Sequence, residues 1–268
     1  MPIRAGTIGI DAGATLCKVV HQGKTLRTER YSSRAISEVQ REVASRGALR
    51  IVVTGGGSDH FSRLGGVVVQ RVNEFEAWAR GAPILAERSG IEIPERYLLV
   101  SLGTGTSVLA IERDNVRRVG GTALGGGTIM GLGRLLLGVE SFEELADLAG
   151  KGDRRKVDLL VGDIYPTDGL PLPADLTAAN FGKVGSERPE DIASALMGLV
   201  GENVALVCAA LAREAAVQEI LLCGSTLTEN PALQQVLLQV WQKVGCEPCL
   251  LPDGAFCGAV GAAALAEG

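Results

Sequence analysis

Two similar segments, one near the start of the chain and one near its middle, restrict the possible folds most strongly. Each predicts a strand, a turn of small residues and a second strand. The first contains GIDAGATLCK (residues 9–18), and the second contains SLGTGTS (residues 101–107). Apolar runs on both sides of each turn are typical of paired strands. The sequence therefore predicts two related halves that each open with a hairpin. Two such turns facing across a cleft could hold a polyphosphate from both sides.

The elements that follow each hairpin extend this doubling. After the first, the pattern predicts a strand (25–31), a helix (37–47), strands (49–57 and 67–73) and a helix (74–90). After a polar hinge at 91–96 it predicts a hairpin (97–113), a strand (116–121), helices (131–137, 142–149, 191–215, 231–244 and 255–266) and strands (219–225 and 246–252). This order fits mixed sheets with helices on their faces, so we expect the α/β class. We place one domain at residues 1–95 and a second at 96–268, and we allow the helix at 255–266 to pack back on the first.

Composition and charge narrow the range of partners. The 268 residues suffice for a buried core, and 46% of them are hydrophobic. The net charge of −5 provides no overall basic field, so we expect neither nucleic acid nor a membrane as a partner. The longest apolar window, 192–213, carries Glu202 and Asn203 and is interpreted as a buried helix. Because no signal-peptide pattern is seen, we expect a cytoplasmic protein.

The cysteines do not suggest a disulfide framework or a metal site. Six are spread through apolar surroundings. Cys246 and Cys249 form a CxxC pair, but no second pair of metal ligands accompanies it. We therefore expect buried structural thiols.

A glycine-rich segment at residues 119–133, VGGTALGGGTIMGLG, contains seven glycines in fifteen positions. It runs from a strand end into a helix that we expect to begin near Gly131. Backbone N–H groups at a helix entrance can bind an anion without any charged side chain. Neither the Lys of a P-loop nor the acidic residue of a dinucleotide-binding fingerprint follows. We favour a phosphate cradle; the alternative is helix packing so close that it tolerates only glycine.

The two hairpin turns offer further ligands. Asp11 stands at a strand end, Gly13 permits the turn, and Thr15 and Lys18 could reach phosphate oxygens. An acidic side chain beside backbone N–H groups can orient a hydrated Mg²⁺. The second turn has two glycines and four hydroxyls in seven residues, which suits contact with phosphate or a polar substrate. For both turns the alternative is an ordinary hairpin.

Glu74 and Glu76 flank the start of the helix that begins with EFEAWAR. Periodicity does not choose between them, but Asn73 is a plausible N-cap that places Glu74 in the first turn. An ionised carboxylate at the mouth of a cleft can take a proton from an attacking hydroxyl. The alternative is an acidic residue that only stabilises the helix. A weaker pattern is the strand end at Gly224–Ser225, where small residues could let an adenosine lie flat.

Taken in order, these motifs resemble the type II pantothenate kinases, particularly the short bacterial members, of the actin/sugar-kinase/Hsp70 superfamily. The resemblance covers nearly the whole chain. It rests on GIDAGATLCK, VTGGG, NEFEAWARG, LGTGTS, RRVGGTALGGGTIMGLG, LADLAGKGDRRKVDLLVGDIY, LTAANFGKV, CGSTLTEN and DGAFCGAVGA. It implies two ribonuclease H-like (actin-like ATPase) domains around a nucleotide cleft.

The resemblance also implies ATP-dependent phosphorylation of pantothenate at its 4′-hydroxyl, the first step of coenzyme A biosynthesis, by a homodimer that uses Mg²⁺. Glu74 would be the general base and Asp11 the metal ligand. Arg118 would pair with the pantothenate carboxylate, Thr104 and Ser107 would bind its polar groups, and residues 175–182, with Ala179, would contribute to the pocket. The residues expected at the nucleotide are Asp11, Ala12, Gly13, Ala14, Thr15, Leu16, Cys17, Lys18, Thr104, Gly126, Gly127, Thr128, Ile129, Met130, Phe142 and Ser225.

Three departures and three alternatives accompany this resemblance. Pro83 falls inside the helix that begins at Glu74 and could kink it. Phe142 stands where bacterial relatives can carry Tyr, and the segment VTGGGSDHF (residues 53–61) also differs from the relatives. The alternatives are a kinase for an amino sugar, the ATPase activator of a dehydratase with an iron–sulfur cluster at a dimer interface, and a regulator that binds nucleotide. The pair Cys246–Cys249 is too weak a support for the second of these.

Overall fold

Two β-sheets, each built from one half of the chain, organise the fold in the computed structural model, which describes residues 3–64, 66–113, 115–165 and 173–266. The first sheet has the strand order β3-β2-β1-β4-β6-β5. Its strands are β1 (Thr7–Ala12), β2 (Leu16–Gln22), β3 (Leu26–Ser32), β4 (Arg50–Thr54), β5 (Arg63–Leu64) and β6 (Val67–Arg71). β1, β2 and β3 pair antiparallel, while β4 is parallel to β1 and β6 is parallel to β4. Every residue of β1 is buried, as expected for a central strand covered on both faces.

The second sheet repeats this plan, with the strand order β13-β12-β7-β8-β9. Its strands are β7 (Arg96–Leu102), β8 (Thr106–Glu112), β9 (Asn115–Thr122), β12 (Glu219–Cys223) and β13 (Glu247–Leu250). β7, β8 and β9 form the antiparallel meander, and β12 joins β7 in parallel. A separate pair joins β10 (Leu159–Leu160) to β11 (Thr177–Ala179). The predicted α/β class and doubling of the hairpins are confirmed, whereas the domain boundary at residue 95 stays a prediction.

Helices cover the faces of both sheets. They are α1 (Ile36–Ser45), α2 (Glu74–Arg88), α3 (Gly126–Leu137), α4 (Phe142–Lys151), α5 (Val161–Ile164), α6 (Pro189–Glu214), α7 (Pro231–Lys243) and α8 (Cys257–Ala264). α2 continues through Pro83 as one helix. The terminal helix is shorter than predicted, because a 3₁₀ turn at Gly254–Phe256 precedes α8.

α6 lies at the centre of the larger core. Its buried side chains, such as Leu196 and Val200, pack with the second sheet and with α7, and the Trp241 indole N–H donates to the Ala205 carbonyl at 3.0 Å. Among the described helices, α6 is the one long and apolar enough to cross a membrane, but 61% of its most apolar window is buried in this fold. Such burial is what the interpretation as a core helix predicts.

The terminal helix α8 packs on α2 and β1, which belong to the first half of the chain. The approach is so close that only glycine fits at the crossing points. A Cβ on Gly261 would overlap the Ala77 carbonyl oxygen and lie 2.8 Å from the Gly81 nitrogen. A Cβ on Gly9 would overlap the Ala259 carbonyl and lie 2.8 Å from the Ala263 nitrogen. These backbone contacts fix α2 relative to the central strand, and α2 carries Glu74.

The start of α3 was predicted wrongly. α3 begins at Gly126, five residues before the predicted start at Gly131. Glycine has a low helix propensity, so its density favoured a loop. The helix forms there because its first turn packs on the turn between β7 and β8, where a side chain would collide.

Candidate active site

The two hairpin turns meet at a cavity between the sheets, with a volume of about 1330 Å³. The hydroxyl oxygens of Thr15 and Thr104, one from each turn, lie 2.9 Å apart and share a hydrogen bond. This contact joins residues 89 positions apart in sequence. The two turns therefore face each other, which is the arrangement that the polyphosphate hypothesis requires.

Asp11 and Lys18 lie at the base of the first turn. Antiparallel pairing of β1 with β2 sets them opposite each other, and Lys18 Nζ donates to Asp11 Oδ2 at 3.2 Å. The other carboxylate oxygen, Oδ1, is buried and has no hydrogen-bond partner among the described residues. A buried carboxylate oxygen without a donor normally carries a free-energy penalty. A cation or its bound water would remove that penalty, so the site fits the Mg²⁺ expected at Asp11.

Glu74 lies on the same side of the cavity, in the first turn of α2. The Asn73 side chain caps this helix by accepting from the N–H groups of Phe75 and Glu76, at 2.8 and 3.3 Å. Burial raises the pKa of Glu74, the negative charge of Asp11 raises it further, and Lys18 opposes the shift. A partly buried carboxyl group with a raised pKa suits general-base catalysis better than a solvated one. Glu76 is exposed and lies outside the cavity lining.

The glycine-rich segment packs on the second turn more closely than the cradle hypothesis assumed. The N–H groups of Gly126 and Gly127 donate to the carbonyl oxygens of Gly103 and Thr104, both at 2.9 Å. A Cβ on Gly125 would lie 2.7 Å from both the Gly105 Cα and the Thr104 oxygen. The close-packing alternative therefore accounts for these glycines, and the two N–H groups are not free for phosphate.

The start of α3 nevertheless borders the cavity, through Gly126, Gly127 and Met130. Thr128 belongs to the same first turn, and its N–H has no acceptor among the described residues. Its hydroxyl donates to the Ala123 carbonyl at 3.1 Å. At this helix entrance the helix dipole, rather than the glycine amides, therefore remains to favour an anion in the cavity.

Arg118 on β9 and Ser107 on β8 also line the cavity. The pairing register of β8 with β9 shifts between Val108 and Leu109, and Arg118 on β9 pairs with Leu109. Within the described part of the chain Arg118 has no ion-pair partner, although Arg134, another cavity-lining arginine, pairs with Glu140. An unpaired guanidinium facing a cavity is a natural site for a planar carboxylate.

Most of the predicted site residues border this one cavity: Asp11, Gly13, Ala14, Thr15, Leu16, Lys18, Glu74, Thr104, Ser107, Arg118, Gly126, Gly127, Met130, Phe142 and Ser225. Ala12, Cys17 and Ile129 are buried in the cores of the sheets and α3. Thr128 and Ala179 also lie outside the lining, and Ala179 is exposed on β11.

Sequence reasoning missed other residues that line the cavity, notably Trp78, Cys223, Cys257 and Gly258. Trp78 could have been found, because it lies four residues after Glu74 and therefore on the same helix face. Cys223 and Gly258 gave no such signal, since only the packing of β12 and α8 brings them to the cavity.

Comparison with known proteins identifies the family. The Fumble family profile matches residues 92–265. A type II pantothenate kinase of Staphylococcus aureus strain MRSA252 is 35% identical over 266 residues, which cover 97% of this chain and 99% of the relative. This chain belongs to the type II pantothenate kinase family. The enzyme of that name from S. aureus strain USA300 is 35% identical over 261 residues, which cover 95% of this chain and 97% of the relative.

Solved structures share the fold. Component A of the (R)-2-hydroxyglutaryl-CoA dehydratase of Acidaminococcus fermentans superposes with a TM-score of 0.63 at 20% identity, covering 97% of this chain and 96% of that one. A ROK family glucokinase from Streptomyces griseus, in complex with glucose and AMPPNP, gives 0.58 at 17% identity, covering 97% and 98%. At these identities the likeness concerns the fold alone, and it confirms the actin-like ATPase class expected from the sequence.

Proposed function

We propose that this protein transfers the γ-phosphoryl group of ATP to the 4′-hydroxyl of pantothenate, the first step of coenzyme A biosynthesis. Membership of the type II pantothenate kinase family supports the reaction. The single structural observation that carries the proposal is the composition of the cavity. Three groups border the same space: the Glu74 carboxylate, whose pKa is raised, the Asp11 Oδ1 atom and the Arg118 guanidinium. Among the described residues, Asp11 Oδ1 has no hydrogen-bond partner and Arg118 has no ion-pair partner.

In the proposed mechanism the Glu74 carboxylate accepts the proton of the pantothenate 4′-hydroxyl. The hydroxyl oxygen forms a bond to the γ-phosphorus as the bond to the bridging oxygen of ADP breaks, giving 4′-phosphopantothenate and ADP. Phosphoryl transfer needs positioning and charge neutralisation more than covalent assistance. Thr15, Lys18 and Thr104 would supply donors to the phosphates from both hairpin turns. Mg²⁺, held at Asp11, would neutralise charge on the phosphates.

The remaining predicted residues receive roles by position. Phe142 and Ser225 would border the nucleotide, and Arg118 would bind the pantothenate carboxylate at the end distant from the reacting hydroxyl. Ser107, which lies on β8 beside this region, would hydrogen-bond the polar groups of pantothenate between its 4′-hydroxyl and its carboxylate.

A homodimer would account for Ala179. This residue is exposed and lies outside the cavity of its own chain, so in the proposed assembly it would reach the pocket of a second copy. Leu206 and Val207 on α6 are 53% and 37% exposed, and they offer apolar surface for such an assembly. Sedimentation equilibrium of the purified protein tests this, and a monomer at all concentrations would refute it. We also propose a cytoplasmic location and a domain division at residue 95, which agrees with the separation of the two sheets.

The alternatives are less well supported by the cavity. A sugar has no carboxylate to pair with Arg118. For an iron–sulfur protein, thiolate ligands would be needed, but burial raises the pKa of both Cys246 and Cys249 and so disfavours thiolates. A regulator that only binds ATP would not need a base such as Glu74.

An acceptor panel tests the proposal. The purified protein is incubated with ATP and Mg²⁺, together with pantothenate, glucosamine, glucose or no acceptor, and the products are identified by mass spectrometry. We expect phosphate transfer to pantothenate alone. Transfer to a sugar, or ATP hydrolysis that no acceptor stimulates, would refute the substrate and favour one of the alternatives.

A further inference from the structure

An aromatic side chain lies one turn of α2 beyond the proposed base. Trp78 lies one helical turn after Glu74 on α2, and both residues line the cavity. Residues four apart on a helix have Cβ atoms about 5–6 Å from each other. A hydroxyl within hydrogen-bonding distance of Glu74 therefore brings the carbon next to it towards the Trp78 indole.

Contacts of both its ring and its backbone hold Trp78 in place. Its ring packs on Phe75 with centroids 5.6 Å apart. The Trp78 carbonyl accepts a hydrogen bond from the Cys257 thiol at 3.2 Å. Its Nε1 lies 3.0 Å from the point at which a Cβ on Gly258 would sit, and Asp11 Oδ2 lies at the same distance from that point. The ring is thus packed tightly between α8 and the acidic end of the cavity.

This position makes Trp78 the large apolar surface beside the reacting group. Among the described residues that line the cavity, Trp78 and Phe142 are the two aromatic ones. Phe142 begins α4, far along the chain from Glu74, and borders the proposed nucleotide side. The charged groups that act on Glu74 at this end are Asp11 and Lys18. Gly258, which Asp11 and Trp78 both approach, has no room for a side chain.

The chemistry of the acceptor fits such a surface. In pantothenate, the carbon that bears the reacting hydroxyl is attached to a quaternary carbon carrying two methyl groups. We propose that the Trp78 indole packs against these two methyl groups and thereby determines the preference for an acceptor that is branched beside its hydroxyl. This inference rests on the proposed function. It adds a residue that selects the acceptor rather than one that reacts with it.

The test compares two acceptors, pantothenate and N-(2,4-dihydroxybutanoyl)-β-alanine, in which hydrogens replace both methyl groups. The kcat/KM of each is measured for the native enzyme, Trp78→Phe and Trp78→Ala. One methylene in an apolar pocket changes kcat/KM by about 10-fold or more. We therefore expect the native enzyme to prefer pantothenate and Trp78→Ala to lose about 10-fold or more of that preference. Trp78→Phe, which keeps a flat apolar face, should retain part of it.

The ratio of the two kcat/KM values is the informative quantity, because a partly unfolded variant lowers both values equally and leaves their ratio unchanged. Phe75→Leu is the matched control. It removes the ring that packs on Trp78 but changes no residue of the cavity lining, so we expect a ratio closer to the native one than that of Trp78→Ala. A ratio in Trp78→Ala equal to the native one, or a native enzyme that does not distinguish the two acceptors, would refute this inference while pantothenate turnover stands. No turnover of pantothenate at all would refute the proposed function as well.

Discussion

Replacing Gly261 by Ala tests how α8 holds α2, and with it Glu74, against the central strand. The added Cβ would overlap the Ala77 carbonyl oxygen and lie 2.8 Å from the Gly81 nitrogen, whereas ordinary contact needs about 3.5 Å. Both neighbours are backbone atoms, so no change of rotamer relieves the collision and the helices must separate. Overpacking of this kind costs about 1–3 kcal/mol, and the backbone contacts on both sides place Gly261→Ala at the upper end.

The gain in helix propensity from Gly to Ala offsets about 1 kcal/mol of this cost. We therefore expect a net loss of about 2 kcal/mol in the free energy of unfolding. For a chain of this size that corresponds to a fall in Tm of roughly 4–8 °C. A shift of α2 would also move Glu74, and a misplacement of about 1 Å can reduce kcat about 100-fold.

The assay is thermal unfolding by calorimetry, with kcat measured well below the transition. Gly131→Ala is the matched control: Gly131 is an exposed glycine inside α3 with no atom within 4 Å of the added Cβ. It should raise stability by about 0.5–1 kcal/mol. A Gly261→Ala protein that melts at or above the native temperature with native kcat would show that the close packing of α8 on α2 does not position the site.

Three further predictions concern the site itself. The pKa of Glu74 is raised, so kcat/KM should fall as the pH drops through that raised value. Lys18→Met removes the positive charge that opposes the shift and should move this acid limb of the pH profile to higher pH. An unmoved limb would exclude Glu74 as the titrating group. Arg118→Lys should raise the KM for pantothenate by about 10-fold or more with a smaller change in kcat. The KM for pantetheine, which has no carboxylate, should stay unchanged, and equal effects on both acceptors would contradict the pairing of Arg118 with the carboxylate. Gly125→Ala should raise the KM for ATP and lower the free energy of unfolding by about 1–3 kcal/mol, because its Cβ would lie 2.7 Å from the Gly105 Cα. A native KM for ATP together with native stability would show that α3 need not pack so closely on the second turn.

The hairpins were predictable because strand pairing and Gly-rich turns are local signals. The capping preference of Asn73 is another local signal, and it located the start of α2 at Glu74. It did not separate Glu74 from Glu76, which also lies in the first turn, and the choice of Glu74 as base came from the family resemblance. The start of α3 was not predictable in this way, since the packing of Gly125 on a turn that is distant in sequence outweighs the low helix propensity of glycine.

The arrangement of the cavity depends still more on long-range packing. Cys223 and Gly258 reach it only because β12 joins β7 and α8 crosses to the first sheet. The hydrogen bonds that occupy the Gly126 and Gly127 amides likewise come from a turn some twenty residues earlier, so a pattern of glycines could not distinguish a cradle from a close contact.

The most direct test of the central claim measures ATP turnover with and without pantothenate in the native enzyme, Glu74→Gln and Glu76→Gln, with 4′-phosphopantothenate detected by mass. A general base contributes about 10²–10⁴-fold to kcat. We expect pantothenate-dependent turnover in the native enzyme, a loss of that size in Glu74→Gln and native turnover in Glu76→Gln. Native turnover in Glu74→Gln, or equal losses in both variants, would contradict the role assigned to Glu74.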